Sequence, residues 1–149
     1  MARMTIKGLD EFIAKLEAAQ KEPEAIVKKA LYEGAGIVAG AIRSGVASVP
    51  VSESKRRPKH GVTSVEKAGL LSGIGISKMR TEDGTVNVVI GFNGTNEDGK
   101  RNTTIMRRLE SGTSYQAKYP VIRQAVNRSK ANAQEAMQKV FTDELQKLV

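Results

Sequence analysis

The sequence contains no cysteine, no tryptophan and only one histidine, His60. The absence of cysteine excludes disulfides, thiolate metal sites and thiol catalysis. Most metal sites and acid–base designs use two or more imidazoles, or one imidazole oriented by a carboxylate, so a single histidine removes most of those designs as well. We therefore expect neither an enzyme nor a protein with a bound metal or cofactor.

Aromatic residues are also few, with three Phe and three Tyr, although 40% of the 149 residues are hydrophobic. The core must be built mainly from Ile, Val, Leu and Ala, which suits packed helices. The length fits one domain over residues 1–149. No run approaches the roughly 18 apolar residues of a membrane span, and the first residues lack the apolar centre of a signal peptide. We expect a soluble protein made in a cytoplasm.

The charge balance is basic, because 24 Lys and Arg against 16 Asp and Glu give a formal net charge of +8. Such an excess favours nucleic acid or another acidic surface as a partner. Four cations, Lys55, Arg56, Arg57 and Lys59, cluster within residues 49–67, where two prolines and weak apolar periodicity predict an exposed, mobile loop. This candidate assembly loop either orders only within an assembly or contacts phosphates or an acidic partner.

Apolar spacing predicts helices in three regions. Residues 9–16 have apolar positions at i, i+3, i+4 and i+7, which predicts a short amphipathic helix. Pro23, a residue favoured in the first helical turn, precedes a continuous apolar stripe that predicts a long helix over residues 23–46. The same periodicity after Pro120 predicts a C-terminal helix over residues 121–148.

Three glycines, Gly34, Gly36 and Gly40, lie inside the long predicted helix. Each costs about 1 kcal/mol relative to alanine in a helix interior. Close approach of another element of the same chain would explain them, and close approach of a neighbouring subunit is the alternative.

The apolar period changes from helical to alternating between residues 74 and 92. Alternating apolar residues on both sides of Asp83-Gly84, a strong tight-turn signal, predict a β-hairpin. The glycines in GLLSGIGISK do not match a phosphate-binding loop, which ends in Gly-Lys-Ser/Thr, so we do not expect nucleotide binding. Residues 93–102 are predicted to form a polar turn or loop.

One or two helical turns are predicted next, with Thr103 or Thr104 as N-cap and Gly112 as the stop. The following Gly112-Thr113-Ser114 does not match the Gly-x-Ser-x-Gly elbow of serine hydrolases, and only His60 could act as the base. We therefore interpret this segment as a joint between two helices rather than an active site. No helix-turn-helix, zinc knuckle or ribonucleoprotein signature is present, so we expect no sequence-specific DNA binding.

Several segments, spread over nearly the whole chain, share a pattern with one known family. They are GLDEFIAKLEA, ALYEGAGIVAGAIRS, EKAGLLSGIGISKMR, VNVVIGF, LESGTS and YPVIRQAV. Together they resemble the small neck or tail-component family of long-tailed double-stranded DNA bacteriophages and prophages. In the joint, the matching residues are Glu110, Gly112, Thr113, Ser114, Pro120, Arg123 and Ala125. Val121 stands where the family usually has Phe, and Gln124 where it usually has Pro.

The resemblance implies a structural virion protein without catalytic activity or cofactor, acting in tail completion or head–tail joining. It implies a location in the neck or tail after synthesis in the bacterial host cytoplasm, and contacts with other head–tail connector or tail proteins. Tail symmetry suggests a homo-oligomer, with a hexameric ring as the first expectation. The alternative is a basic nucleic-acid-binding protein, whose retention on DNA would fall steeply with salt.

The predicted fold class is α+β. A long N-terminal helix and a C-terminal helix are expected to pack on a small antiparallel β-sheet, with long flexible loops between the elements. We expect the loops at residues 55–59 and 93–102 to become ordered against neighbouring proteins on assembly. In the joint, we expect Glu110 to pair with a base such as Arg123.

Overall fold

The computed structural model describes residues 2–6, 9, 11, 13–14, 23–54 and 60–147. Along these residues lie four β-strands and four continuous α-helices. The strands are β1 (Ala2–Ile6), β2 (Ile74–Ile76), β3 (Arg80–Glu82) and β4 (Thr85–Phe92). The helices are α1 (Pro23–Ala47), α2 (Ser64–Gly73), α3 (Asn102–Ser111) and α4 (Val121–Gln146). The predicted α+β class is confirmed.

Strand β4 is the centre of the sheet, since β1 pairs along one side of it and β2 and β3 pair along the other. All three pairings are antiparallel, with Ala2 opposite Ile90 and Ile74 opposite Phe92. Side chains alternate between the two faces of a strand, so this register gathers the apolar residues on one face. They are Ala2, Met4, Ile6, Ile74, Ile76, Val86, Val88, Ile90 and Phe92.

The predicted hairpin is confirmed at the β3–β4 turn. Asp83 and Gly84 have φ values of 50° and 73°, both in the left-handed region. A two-residue turn with positive φ at both positions matches the twist of the flanking strands, and Asp-Gly tolerates it well.

Helices α1 and α4 form the largest contact between elements. At 25 and 26 residues, each is about 38 Å long at 1.5 Å per residue. Gly45 allows the start of α4 to approach α1, because a Cβ added there would lie 2.9 Å from Cγ1 of Val121. None of the described helices is long and apolar enough to cross a lipid bilayer.

The observed ends of the two long helices lie close to the predicted ones. The long helix predicted over residues 23–46 is α1. The helix predicted over residues 121–148 is α4, which ends at Gln146, and the described residues end at Lys147. Of the short helix predicted over residues 9–16, Glu11, Ile13 and Ala14 are helical, and the Ile13 N–H donates to the Leu9 carbonyl at 2.8 Å. Phe12 and Leu16 lie outside the described residues.

The structure corrects three expectations. Strand β1 and helix α2 were not predicted; α2 begins inside the stretch 49–67 that was predicted to be a mobile loop. The N-cap of α3 is Arg101, and neither Thr103 nor Thr104 caps it. The helix begins two or three residues earlier than expected, with Asn102 buried and its side chain bonded to the Asn93 carbonyl.

Candidate assembly site

The family-matching joint lies between α3 and α4. Helix α3 ends at Ser111, and the Gly112 N–H donates to the Arg108 carbonyl at 2.8 Å. Gly112 has φ 74° and ψ 171°, a conformation that is essentially restricted to glycine. A Cβ there would also lie 3.2 Å from the backbone N of Lys118. The glycine thus ends α3 and lets the chain reverse closely against itself.

Glu110 caps the start of α4. Its Oε2 accepts the Ile122 N–H at 2.8 Å, and its Oε1 accepts the Arg123 N–H at 2.9 Å. The first N–H groups of a helix have no intrahelical partner and carry partial positive charge, so a carboxylate is well suited to this position. The contact between Glu110 and Arg123 therefore uses the backbone N–H of Arg123, whereas the sequence suggested pairing with its basic side chain. Pro120 is the N-cap residue and has no side-chain acceptor of its own.

Between Gly112 and Pro120 the chain forms a tight turn. The Thr113 N–H donates to the Gln116 carbonyl at 3.0 Å, and Thr113 Oγ1 accepts the Tyr115 N–H at 3.1 Å. Ser114 lies exposed at the tip of this turn. Buried Gln116 donates from Nε2 to the Gly61 carbonyl at 2.8 Å, which ties the turn to the chain that precedes α2. The joint is consequently a hydrogen-bonded support and not a mobile linker.

The four cations of the candidate assembly loop, Lys55, Arg56, Arg57 and Lys59, lie outside the described residues. The chain on either side of them is held together by a parallel bridge between Val51 and Val62. The Ser52 N–H donates to the Val62 carbonyl at 2.8 Å. The loop therefore leaves and re-enters the fold at one place. Among the described residues, the Gln116–Gly61 hydrogen bond links the joint to the chain that follows the loop cations.

A buried carboxylate, Glu66, was missed by sequence reasoning. It is fully buried on α2, and its Oε2 accepts a hydrogen bond from Arg108 of α3 at 2.7 Å. Lys100 Nζ lies 3.9 Å from the same oxygen. Glu66 also closes a capping box with Thr63, whose N–H donates to Glu66 Oε1 at 3.0 Å. The spacing Thr-x-x-Glu is a helix-start signal that could have revealed both α2 and the role of Glu66.

Residues 93–102 form an ordered turn, which differs from the flexible loop that we expected. Asn96 is buried, and its Oδ1 accepts the N–H groups of Asp98 and Lys100, each at 3.0 Å. Thr95 and Arg101 form an antiparallel bridge. Asparagine side chains that bond to backbone two to four residues ahead stabilise such turns locally, which the polar composition alone did not reveal.

The helix glycines fall into two groups. A Cβ at Gly34 would lie 2.8 Å from both Met137 Cγ and Met4 Cε, so close approach within the chain explains this glycine. A Cβ at Gly36 or Gly40 would meet nothing within 4 Å among the described residues. For these two, approach of a neighbouring subunit stays a prediction.

No group of three or more His, Asp or Glu side chains in the described ranges could hold a metal ion. His60 is exposed at the end of the assembly loop. Several cations serve the fold: Arg108 pairs with Glu66, and Arg43 donates to the Leu71 carbonyl at 2.9 Å. Arg128 and Lys29 also make contacts within the chain, to the Ala41 carbonyl and to Glu144 respectively.

A family model described as "Bacteriophage HK97-gp10, putative tail-component" matches residues 10–120 of the chain. The matched range contains α1, α2, the whole of β2–β4, α3 and the joint up to Pro120. No curated protein and no solved structure matches the chain.

Proposed function

The chain belongs to the HK97-gp10-like family of bacteriophage tail components, and from this membership we propose that it is a structural, non-enzymatic protein acting in tail completion or head–tail joining. The match over residues 10–120 carries the proposal. The joint and the Glu66 cluster support it, because in both the charged groups fix helices to one another.

In this proposal the protein acts through contacts with copies of itself and with other head–tail connector or tail proteins. A hexameric ring is the arrangement that matches the rotational symmetry of a tail. Its place of action is the neck or tail of the virion, after synthesis in the bacterial host. The exposed backbone of α1 at Gly36 and Gly40 would permit close approach of a neighbour without distortion of the chain.

The loop cations Lys55, Arg56, Arg57 and Lys59 are the part of the chain that we assign to an acidic neighbouring protein. The Val51–Val62 bridge fixes the chain on both sides of the loop, so the binding of a neighbour incurs no further loop-closure entropy. Attraction between the loop and an acidic surface would also speed docking. The Gln116–Gly61 hydrogen bond fixes the chain that follows this loop to the joint at Glu110 and Gly112.

Deletion of the gene from the encoding phage tests the proposed function. We expect lysates that contain filled heads and separate or incomplete tails by electron microscopy, with infectivity restored by the gene supplied in trans. Normal, infectious particles from the deletion strain would refute the proposal.

Neutralisation of the loop tests its assigned role. Replacing Lys55, Arg56, Arg57 and Lys59 by Gln keeps the chain length and the Val51–Val62 bridge, and should reduce infectious particle yield while thermal stability stays unchanged. A matched control carries Gln at four exposed cations elsewhere, namely Lys28, Arg107, Lys118 and Lys139. Equal yields from the two variants would remove the loop from the proposal. Salt-dependent DNA binding by the wild-type chain that only the loop variant loses would favour the nucleic-acid alternative.

A further inference from the structure

An open groove runs beside β1. Strand β1 has β4 as its one strand partner among the described residues, so its other side is a sheet edge there. Side chains of β1 and α4 enclose a groove of about 350 Å³ next to this edge, with Val38 of α1 at its base. Met4, Ala133 and Met137 supply apolar lining. Gly34 makes the groove possible, because a Cβ there would displace both methionines.

The rim of this groove is basic. Arg3 on β1 and Lys130 on α4 are exposed and both line the groove. In the described part of the chain neither forms an ion pair. An occupant of the groove should therefore offer an unpaired strand edge, small or apolar side chains toward α4, and carboxylates at the rim.

The opposite edge of the same sheet has these properties. Strand β3 pairs with β4 alone among the described residues, and all three of its residues are exposed. The register places Thr81 on the face that carries the apolar residues, and Arg80 and Glu82 on the other face. Glu82 and Asp83, at the hairpin tip, are exposed carboxylates that no ion pair engages within the described ranges.

We propose that β3 of one copy adds to the β1 edge of the next, so that the sheet continues from subunit to subunit. Within one copy both strands run antiparallel to β4 and hence parallel to each other, so the added pairing is parallel when successive copies keep their apolar faces on the same side of the sheet. Glu82 of the incoming copy lies opposite Arg3, Asp83 approaches Lys130, and Thr81 faces the groove. Main-chain hydrogen bonds supply affinity, and the two charge pairs fix the register.

This contact uses two different surfaces of the same chain. Such a head-to-tail interface forms a closed ring when a whole number of copies completes one full turn, and otherwise forms an open filament. It also covers both exposed strand edges, which isolated chains would leave open to unwanted pairing. The inference rests on the proposed homo-oligomer of the preceding subsection and names the surface that forms it.

Because the chain has no cysteine, a pair of introduced cysteines can report on this contact alone. In one copy, Arg3 faces Val89 and Glu82 faces Thr85 on opposite sides of β4. Two strand spacings and four residues of rise separate them by more than about 15 Å. A disulfide requires Cα atoms within about 7 Å. The variant Arg3→Cys/Glu82→Cys can therefore cross-link only between copies.

We expect particles and purified protein of this variant, after mild oxidation, to give a ladder of dimers and higher oligomers that collapses with reductant. Thr5→Cys/Arg80→Cys is the matched control on the same strands and the same face, four residues out of register, and should stay largely monomeric. Each single cysteine variant should stay monomeric as well. No ladder from the Arg3/Glu82 pair, or equal ladders from both pairs, would overturn the inference; dimers from Arg3→Cys alone would indicate β1–β1 pairing and overturn it too.

A charge reversal provides a second, reversible readout. Lys130→Glu should weaken assembly at least tenfold in sedimentation experiments, and Lys130→Glu combined with Asp83→Lys should restore it, whereas Lys139→Glu on the same helix should have no effect. Failure of the second substitution to rescue would contradict the pairing. If the chain is present in virions but the Arg3→Cys/Glu82→Cys variant does not cross-link, the proposed tail function is retained and the proposed interface is refuted. If the chain is absent from virions, the proposed function itself fails.

Discussion

The cap that Glu110 places on α4 gives a quantitative prediction. Its carboxylate accepts two backbone N–H groups, from Ile122 and Arg123, at 2.8 and 2.9 Å. A side-chain cap contributes about 0.5–2 kcal/mol, and the charge at a helix N-terminus adds about 0.3–1 kcal/mol. Glu110 is partly exposed, so water replaces some of the lost bonds. We expect Glu110→Ala to lower the free energy of unfolding by about 2 kcal/mol.

Glu110→Gln keeps an acceptor oxygen but loses the charge and one acceptor, so we expect a loss of about 1 kcal/mol. In a chain of this size, 1 kcal/mol corresponds to about 2–4 °C in Tm. Thermal unfolding should therefore fall by about 4–8 °C for Glu110→Ala and by about half of that for Glu110→Gln. Glu135→Ala, an exposed acid on the same helix, is the control and should change Tm little. Equal effects of Glu110→Ala and Glu135→Ala would refute the cap.

Other substitutions probe the remaining contacts. Glu66→Gln leaves the partly buried Arg108 without its charge partner and should cost about 3 kcal/mol in urea unfolding; a loss below about 1 kcal/mol would contradict the ion pair. Gly112→Ala, at φ 74° and ψ 171°, should cost about 1–3 kcal/mol, and an unchanged unfolding midpoint would exclude that conformation. Gly34→Ala should destabilise by about 1–3 kcal/mol through overpacking, whereas Gly36→Ala in open space should stabilise by about 0.5–1 kcal/mol. The reverse order of Tm for these two alanine variants would show that α1 faces the core differently.

The long helices and the hairpin were predictable because each has a strong local signal. Apolar spacing marks α1 and α4, and Asp83-Gly84 specifies the β3–β4 turn. The end of α3 was also readable, since Gly112 is the residue type that a helix end with positive φ requires. In each case a short stretch of sequence carries the information that decides the structure.

Strand β1 and helix α2 were missed for different reasons. The five residues of β1 alternate in polarity but become a strand only by pairing with β4, more than 80 residues away. For α2, the Thr63 and Glu66 spacing is a helix-start signal. The prolines and cations just before it favoured a loop, so the helix was not predicted. The excess of basic residues in the sequence also gave no indication that one carboxylate, Glu66, is completely buried.

The sequence indicated where the candidate site lies in the chain, but it did not indicate which contacts its residues make. The family pattern identified Glu110 and Gly112, but spacing could not show that Glu110 uses backbone N–H groups of α4 instead of the Arg123 side chain. That geometry depends on the turn between the helices, which is set by the Thr113–Gln116 bridge and by the hydrogen bond from Gln116 to Gly61. Contacts of this kind are decided by tertiary structure.

We propose that the chain is a structural component at the tail or at its junction with the head. The most direct measurement is a symmetry-averaged cryo-electron microscopy reconstruction of particles that carry an antibody-detectable tag on this chain. We expect a closed ring of this protein at the upper end of the tail or in the neck, with six copies as the first expectation from tail symmetry. Complete, infectious particles that contain no copy of the chain would contradict it.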